Sequence, residues 1–129
     1  MRLFFLCAAL AFAGILAAAA AEAPAKSDAF EACAAQAHGT TYPMLHCYSL
    51  EMQAADDAMT ASYQSALAAK SDPKTKDYLT RSQAAWSDYR DAWCEATVSR
   101  SGTMARFKLF ECRLTETARR AEELRDLAR

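Results

Sequence analysis

Cys33, His38, His46 and Cys47 fall close together in the chain, and cysteine and histidine are the residue types that hold zinc. A Cys₂His₂ centre needs all four to converge on one ion. His46 and Cys47 are adjacent, so on a helix their side chains diverge by about 100°. The Cys-to-His spacing is also unlike that of a zinc finger. No metal and no other cofactor are therefore expected. Nucleophilic catalysis has no better footing, because His38 and His46 sit beside one turn with no accompanying nucleophile pattern. Asp56 and Asp57 are neighbours that point in different directions on a helix, which does not make a general acid/base pair. The chain is read as a protein without enzymatic activity.

The cysteines make better sense as disulfides. Met1-Arg2 is a short positive start, Leu3 to Ala21 is apolar or small throughout, and Ala19-Ala20-Ala21 offers the small-x-small pattern of a signal-peptidase site. Residues 1–21 are read as a signal peptide and 22–129 as one helical domain. An uncleaved anchor is the competing reading, disfavoured by the alanine-rich end and the missing basic stop-transfer flank. Four cysteines then remain: Cys33, Cys47, Cys94 and Cys112. An even count in a small exported domain implies two disulfides. Of three connectivities, Cys33–Cys47 with Cys94–Cys112 is favoured, because each bond joins neighbouring elements across one short connection. The expected location is periplasmic or secreted.

Charge excludes some partners. The full chain carries a net −1, which becomes −2 once Arg2 is removed. That gives no case for nucleic acid or an anionic membrane surface. Residues 22–69 hold six acidic groups and one lysine, so this half is the better face for a cationic partner.

The elements that must position these residues all read as helix. Ser27 or Asp28 caps a short helix to about Ala37, ended by His38-Gly39-Thr40-Thr41. A second runs from Pro43 to Lys70, with Leu45, Tyr48, Met52, Ala55, Met59, Tyr63 and Ala66 in one stripe. Ser71-Asp72-Pro73 opens a third, to Ser99, with Leu79, Ser82, Trp86, Tyr89, Trp93 and Ala96 facing inward. Ser101-Gly102-Thr103 breaks it. A fourth runs from Met104 to the end, with Phe107, Phe110, Leu114, Thr117, Ala121 and Leu124 inward. The expected fold is all-α: a small, disulfide-stapled antiparallel bundle of three long helices plus a short N-terminal helix.

The most unusual run is Gln83-x-x-Trp86-x-x-Tyr89-Arg90-Asp91-x-x-Cys94. Gln83, Trp86 and Arg90 share one helix side, and Arg90 can lie over the Trp86 ring as a cation–π pair. Trp86, Tyr89, Trp93 and Cys94 are expected in the core as a rigid, polar-edged seam. The competing reading makes Gln83 and Arg90 an exposed binding edge. This run resembles the central motif of the LprI-type lysozyme inhibitor domain family. Cys33 to Cys47 resembles that family's opening cysteine pair. Ala58 to Tyr63 resembles its helix ending in tyrosine, and Cys112-Arg113-Leu114-Thr115 with Thr117 and Arg119 its closing segment. The resemblance extends from about Cys33 to Leu124. It implies an exported helical domain and, as in the named member, inhibition of lysozyme. The name-giving members are lipid-anchored, whereas here Cys7 lies inside the apolar run, away from the cleavage point.

Two functions from different classes follow. One is a protein-binding module that inhibits a lysozyme-like glycosidase. Such enzymes cleave glycans with two carboxylates in a cleft. A basic or polar group inserted from a turn would block it, and the candidates are Thr40-Thr41-Tyr42 and the turn from Arg100 to Arg106. Glu51, Asp56 and Asp57 are candidate charges for steering toward a basic partner. The other is a structural or adaptor domain of the cell envelope with no lysozyme partner.

Overall fold

A computed structural model describes residues 24–98 and 102–129. The expected signal peptide and Arg100 lie outside those residues. Among the described residues four helices follow one another: α1 (Asp28–Ala37), α2 (Thr41–Ala68), α3 (Pro73–Thr97) and α4 (Met104–Ala128). No strand occurs among the described residues. Ser27 caps α1 by accepting from the Phe30 amide at 3.1 Å. His38 closes it in the left-handed region, with φ 46°, and Gly39 follows at φ 72°. Asp72 caps α3, accepting from the Thr75 amide at 2.8 Å and the Thr75 hydroxyl at 2.7 Å, with Pro73 in the first turn.

Two helix limits differ from expectation. α2 starts at Thr41 rather than Pro43, with Thr40 as its cap. The first four amides of a helix have no partner inside it, so the missing N–H of Pro43 is harmless at the third position as well as the first. The first bond of α2 is Met44 N–H to Thr40 O at 3.0 Å. α3 ends at Thr97, before the Ser99 limit read from sequence.

α2, α3 and α4 run up, down and up, so α2 and α4 are parallel and α3 opposes both. Tyr48 meets Phe110 near one end, and Lys70 meets the Leu127 carbonyl at the other. α2 and α4 form the main packing interface. Small buried residues, Ser62 and Ala66 on α2 and Thr117 and Ala121 on α4, let these backbones approach closely. Met59, Leu79 and Leu124 complete that core, with Tyr63, Leu67, Trp86 and Ala128 packed around it. A second cluster of Phe30, Ala37 and Cys47 docks α1 onto α2. Both favoured disulfides are present: Cys33–Cys47 staples α1 to α2, and Cys94–Cys112 staples α3 to α4, each with Cα atoms 5.7 Å apart. Loops of 14 and 18 residues imply about 3 kcal/mol from each bond in the chain-entropy account.

α3 is rotated relative to the sequence reading. Tyr89 and Trp93, expected in the core, are exposed and stack on each other instead, and Ser82 and Ala96 are exposed too. The inward face is Leu79, Gln83, Trp86, Arg90 and Cys94. These residues also recur at steps of three and four, so periodicity alone admits either face. The deciding factors are the Cys94–Cys112 bond, which fixes Cys94 inward, and a set of polar partners from α2 and α4 that receive Gln83 and Arg90.

Candidate protein-binding site

The polar seam under α3 holds most of the sequence motif. Arg90 Nη1 donates to Asp56 Oδ1 at 2.8 Å and to the Thr117 hydroxyl at 3.1 Å, and its Nε donates to Asp91 at 3.1 Å. Its guanidinium lies 5.2 Å from the Trp86 ring centre, as the spacing predicts. Arg120, from α4, lies 5.9 Å from the same ring and donates to Gln83 Oε1 at 3.0 Å and Ser82 Oγ at 3.1 Å. Gln83 in turn donates to Met59 Sδ at 2.9 Å. Asp91 also faces Arg113 at 3.4 Å, and Arg113 faces Glu95 at 3.6 Å.

Trp86 is thus held between two arginines, one from α3 and one from α4. Gln83 and Arg90 spend hydrogen bonds on partners from α2 and α4, which favours the rigid-seam reading over an exposed binding edge, while Asp91 pairs with Arg90 and Arg113 at the half-exposed rim. Tyr89 is the member of the motif that points away.

Two of the three candidate steering charges are also engaged internally. Asp56 accepts from Arg90. Glu51 accepts from the Ser27 amide at 2.9 Å and the Ser27 hydroxyl at 2.5 Å, bracing the start of α1. Asp57 is exposed.

The candidate turns converge. The α1–α2 turn and the start of α4 lie at the same end of the bundle, where Thr41, Tyr42, Gly102, Thr103 and Arg106 line an open groove of about 430 Å³. Tyr42 is 78% exposed, and Arg106 and Thr40 are exposed as well. Beside it, sharing Thr41 and Thr103, is an apolar groove of about 450 Å³ that includes Phe30, Met44, Tyr48, Met104 and Phe107. Met104 stands at its rim, 61% exposed. One phenol and one guanidinium therefore border a polar trough next to an apolar one.

The floor of that end is braced by a node that sequence reading does not foresee. Tyr48 donates to Glu111 Oε1 at 2.5 Å, and Lys26 pairs with Glu111 Oε2 at 2.5 Å. Lys26 also lies over the Phe30 and Tyr48 rings, at 5.7 and 5.4 Å from their centres. Burial first, and the bond to Glu111 second, push the Tyr48 phenol well above its ordinary pKa. The partners are far apart in sequence, so no local spacing signals them.

Cys33 and Cys47 are bonded to each other rather than free to ligate an ion. What fold and site define is a disulfide-stapled, all-helical domain that presents an aromatic and a basic side chain at one end. The family model for lysozyme inhibitor LprI matches residues 33–124, and the chain belongs to that family. No curated protein and no solved structure matched it.

Proposed function

We propose that this chain is an exported protein-binding module that inhibits a lysozyme-like glycosidase by seating the Tyr42–Arg106 end of its bundle in the enzyme's cleft. Residues 1–21 act as the signal peptide, and residues 22–129 are the domain delivered to the periplasm or the outside. Family membership supports an inhibitory rather than catalytic role. The two disulfides suit an oxidising compartment. Among the described residues no helix is long and apolar enough to cross a membrane.

The observation that carries the proposal is the convergence of two separate turns on one groove, with Tyr42 and Arg106 exposed at its edge. A glycosidase cleft offers two carboxylates. Arg106 supplies a fixed positive charge for them with a planar donor array, and Tyr42 supplies apolar contact area with little rotamer entropy to lose. Asp57 is left as the candidate charge for steering toward a basic enzyme.

The test is turnover of peptidoglycan by several lysozyme types, with and without a molar excess of the oxidised protein. Inhibition of at least one type, lost on reduction of the disulfides, is the expected result. Full turnover by every type would overturn the proposal and leave an envelope adaptor as the reading to pursue.

A further inference from the structure

α3 has a second apolar face that none of the described residues covers. Tyr78, Ala85, Tyr89, Ala92 and Ala96 are exposed on the side away from the seam, with Trp93 beside them. Three of the largest exposed apolar groups stand on it: Tyr78 at 54%, Tyr89 at 47% and Trp93 at 46%. The Tyr89 and Trp93 rings lie nearly parallel, at 16°, with centres 6.1 Å apart. Tyr78, Ser82, Ala85, Tyr89, Ala92 and Ala96 follow one another at alternating steps of four and three, which is the seam spacing of a coiled coil.

The charges beside this seam point to what covers it. Lys74, Arg81, Asp88 and Glu95 recur at steps of seven along one flank, two basic residues followed by two acidic. A second α3 laid parallel would face this flank with the opposite, uncharged one (Leu79, Trp86, Trp93) and leave these charges unpaired across the contact. Laid antiparallel about the midpoint between Ser82 and Ala85, it brings Arg81 within two residues of level with Asp88, and Lys74 likewise with Glu95, which also faces Arg113 of its own chain, twice each. In the same register Ser82 of one copy meets Ala85 of the other at the centre, where small side chains allow close approach. Tyr78 then meets Tyr89 of the second copy on either side.

We propose that this face is where a second copy of the chain docks, forming a two-fold dimer through antiparallel α3 helices. The pairing is isologous, so it closes at two copies. The seam from Tyr78 to Ala96 is about 27 Å long at 1.5 Å per residue, which places the contact among small, reversible interfaces. Because the helices oppose, the two Tyr42–Arg106 ends face opposite directions and both stay open. The dimer stands or falls independently of what those ends bind.

Sedimentation equilibrium of the purified, oxidised protein tests this. A concentration-dependent dimer is expected, with Tyr89→Glu and Trp93→Glu monomeric at the same concentrations and unchanged in helix content. Both side chains are exposed, so the fold tolerates these changes. Arg81→Glu and Asp88→Lys should each weaken the dimer, by on the order of tenfold. An equimolar mixture of those two variants should restore it, because each new charge then faces its opposite. A monomer at every concentration, a dimer indifferent to Tyr89→Glu, or a mixture no tighter than its components would each overturn the proposal.

Discussion

Arg90 on α3 reaches Asp56 on α2 at 2.8 Å, and the same nitrogen donates to Thr117 on α4 at 3.1 Å. One side chain thereby ties the three long helices together. Its own exposure is only 12%, whereas Asp56 is 42% exposed. Removing Arg90 strands Asp56 in partial contact with water and leaves the Thr117 hydroxyl without this donor. Arg90→Ala should cost about 2–3 kcal/mol, less than the 3–5 kcal/mol of breaking a fully buried pair. Asp56→Ala should cost only about 1 kcal/mol, since Arg90 keeps Asp91 and Thr117. Denaturant titrations of the oxidised protein give both values, and equal losses would contradict this asymmetry.

Trp86 sits between the Arg90 and Arg120 guanidiniums and packs on the core while remaining partly exposed. Trp86→Ala should cost about 3 kcal/mol, the low end for such truncations. Trp86→Phe keeps an aromatic face for both cations and should recover much of that. A loss below about 1 kcal/mol for the alanine variant would mean that the ring contributes little to packing.

The helices and the disulfide frame were legible because their signals are local: Ser27 and Asp72 as caps, Pro73 in a first turn, Gly39 and Gly102 at breaks, and cysteines either side of single connections. The facing of α3 was not. Tyr89 and Trp93 lie on a stripe as regular as that of Gln83 and Arg90, and hydrophobicity alone selects the aromatic one. Which stripe turns inward depends on Asp56, Thr117 and Arg120, polar partners on other helices. The same distance in sequence separates Asp56 from Arg90, so sequence alone presents Asp56 as a free surface charge. At the site, Tyr42 and Arg106 belong to separate turns. Only the up–down–up order of the long helices brings those turns to one end.

Asp72 gives a pH dependence with a definite sign. Its side-chain bond from Thr75, followed by the Thr75 amide, holds its carboxyl below the ordinary value. A depressed folded-state pKa adds stability above the unfolded value, lost as pH falls through the folded one. Asp72→Ala should therefore lower the melting temperature at neutral pH, and the gap from the parent should close on acidification below the ordinary carboxylate range. A gap that persists under fully protonating conditions would show that the cap does not depend on the charge.

Tyr48 moves the other way. Its phenol is raised by burial and by its bond to Glu111, so the stabilisation is complete below the ordinary tyrosine range and is lost as pH rises through the folded-state value. An ultraviolet titration should show one phenol still protonated where a free tyrosine is ionised, and Tyr48→Phe should remove that late component. Its absence from the parent protein would contradict the Tyr48–Glu111 bond.

Binding kinetics separate the roles proposed for the groove end. Tyr42 and Arg106 border one trough but come from α2 and α4, so truncating either leaves the seam and both disulfides untouched. If they enter a glycosidase cleft, Tyr42→Ala and Arg106→Ala should each speed dissociation by about tenfold or more, as central aromatic and arginine contacts do. Association should change little. Asp57→Lys should do the reverse, slowing association with a basic lysozyme and flattening its dependence on salt, while leaving dissociation nearly unchanged. Asp56→Lys would confound the comparison, because it also breaks the contact with Arg90. Surface plasmon resonance across a salt series distinguishes these outcomes. Unchanged dissociation in both alanine variants, alongside intact inhibition by the parent protein, would place the contact on another face of the bundle.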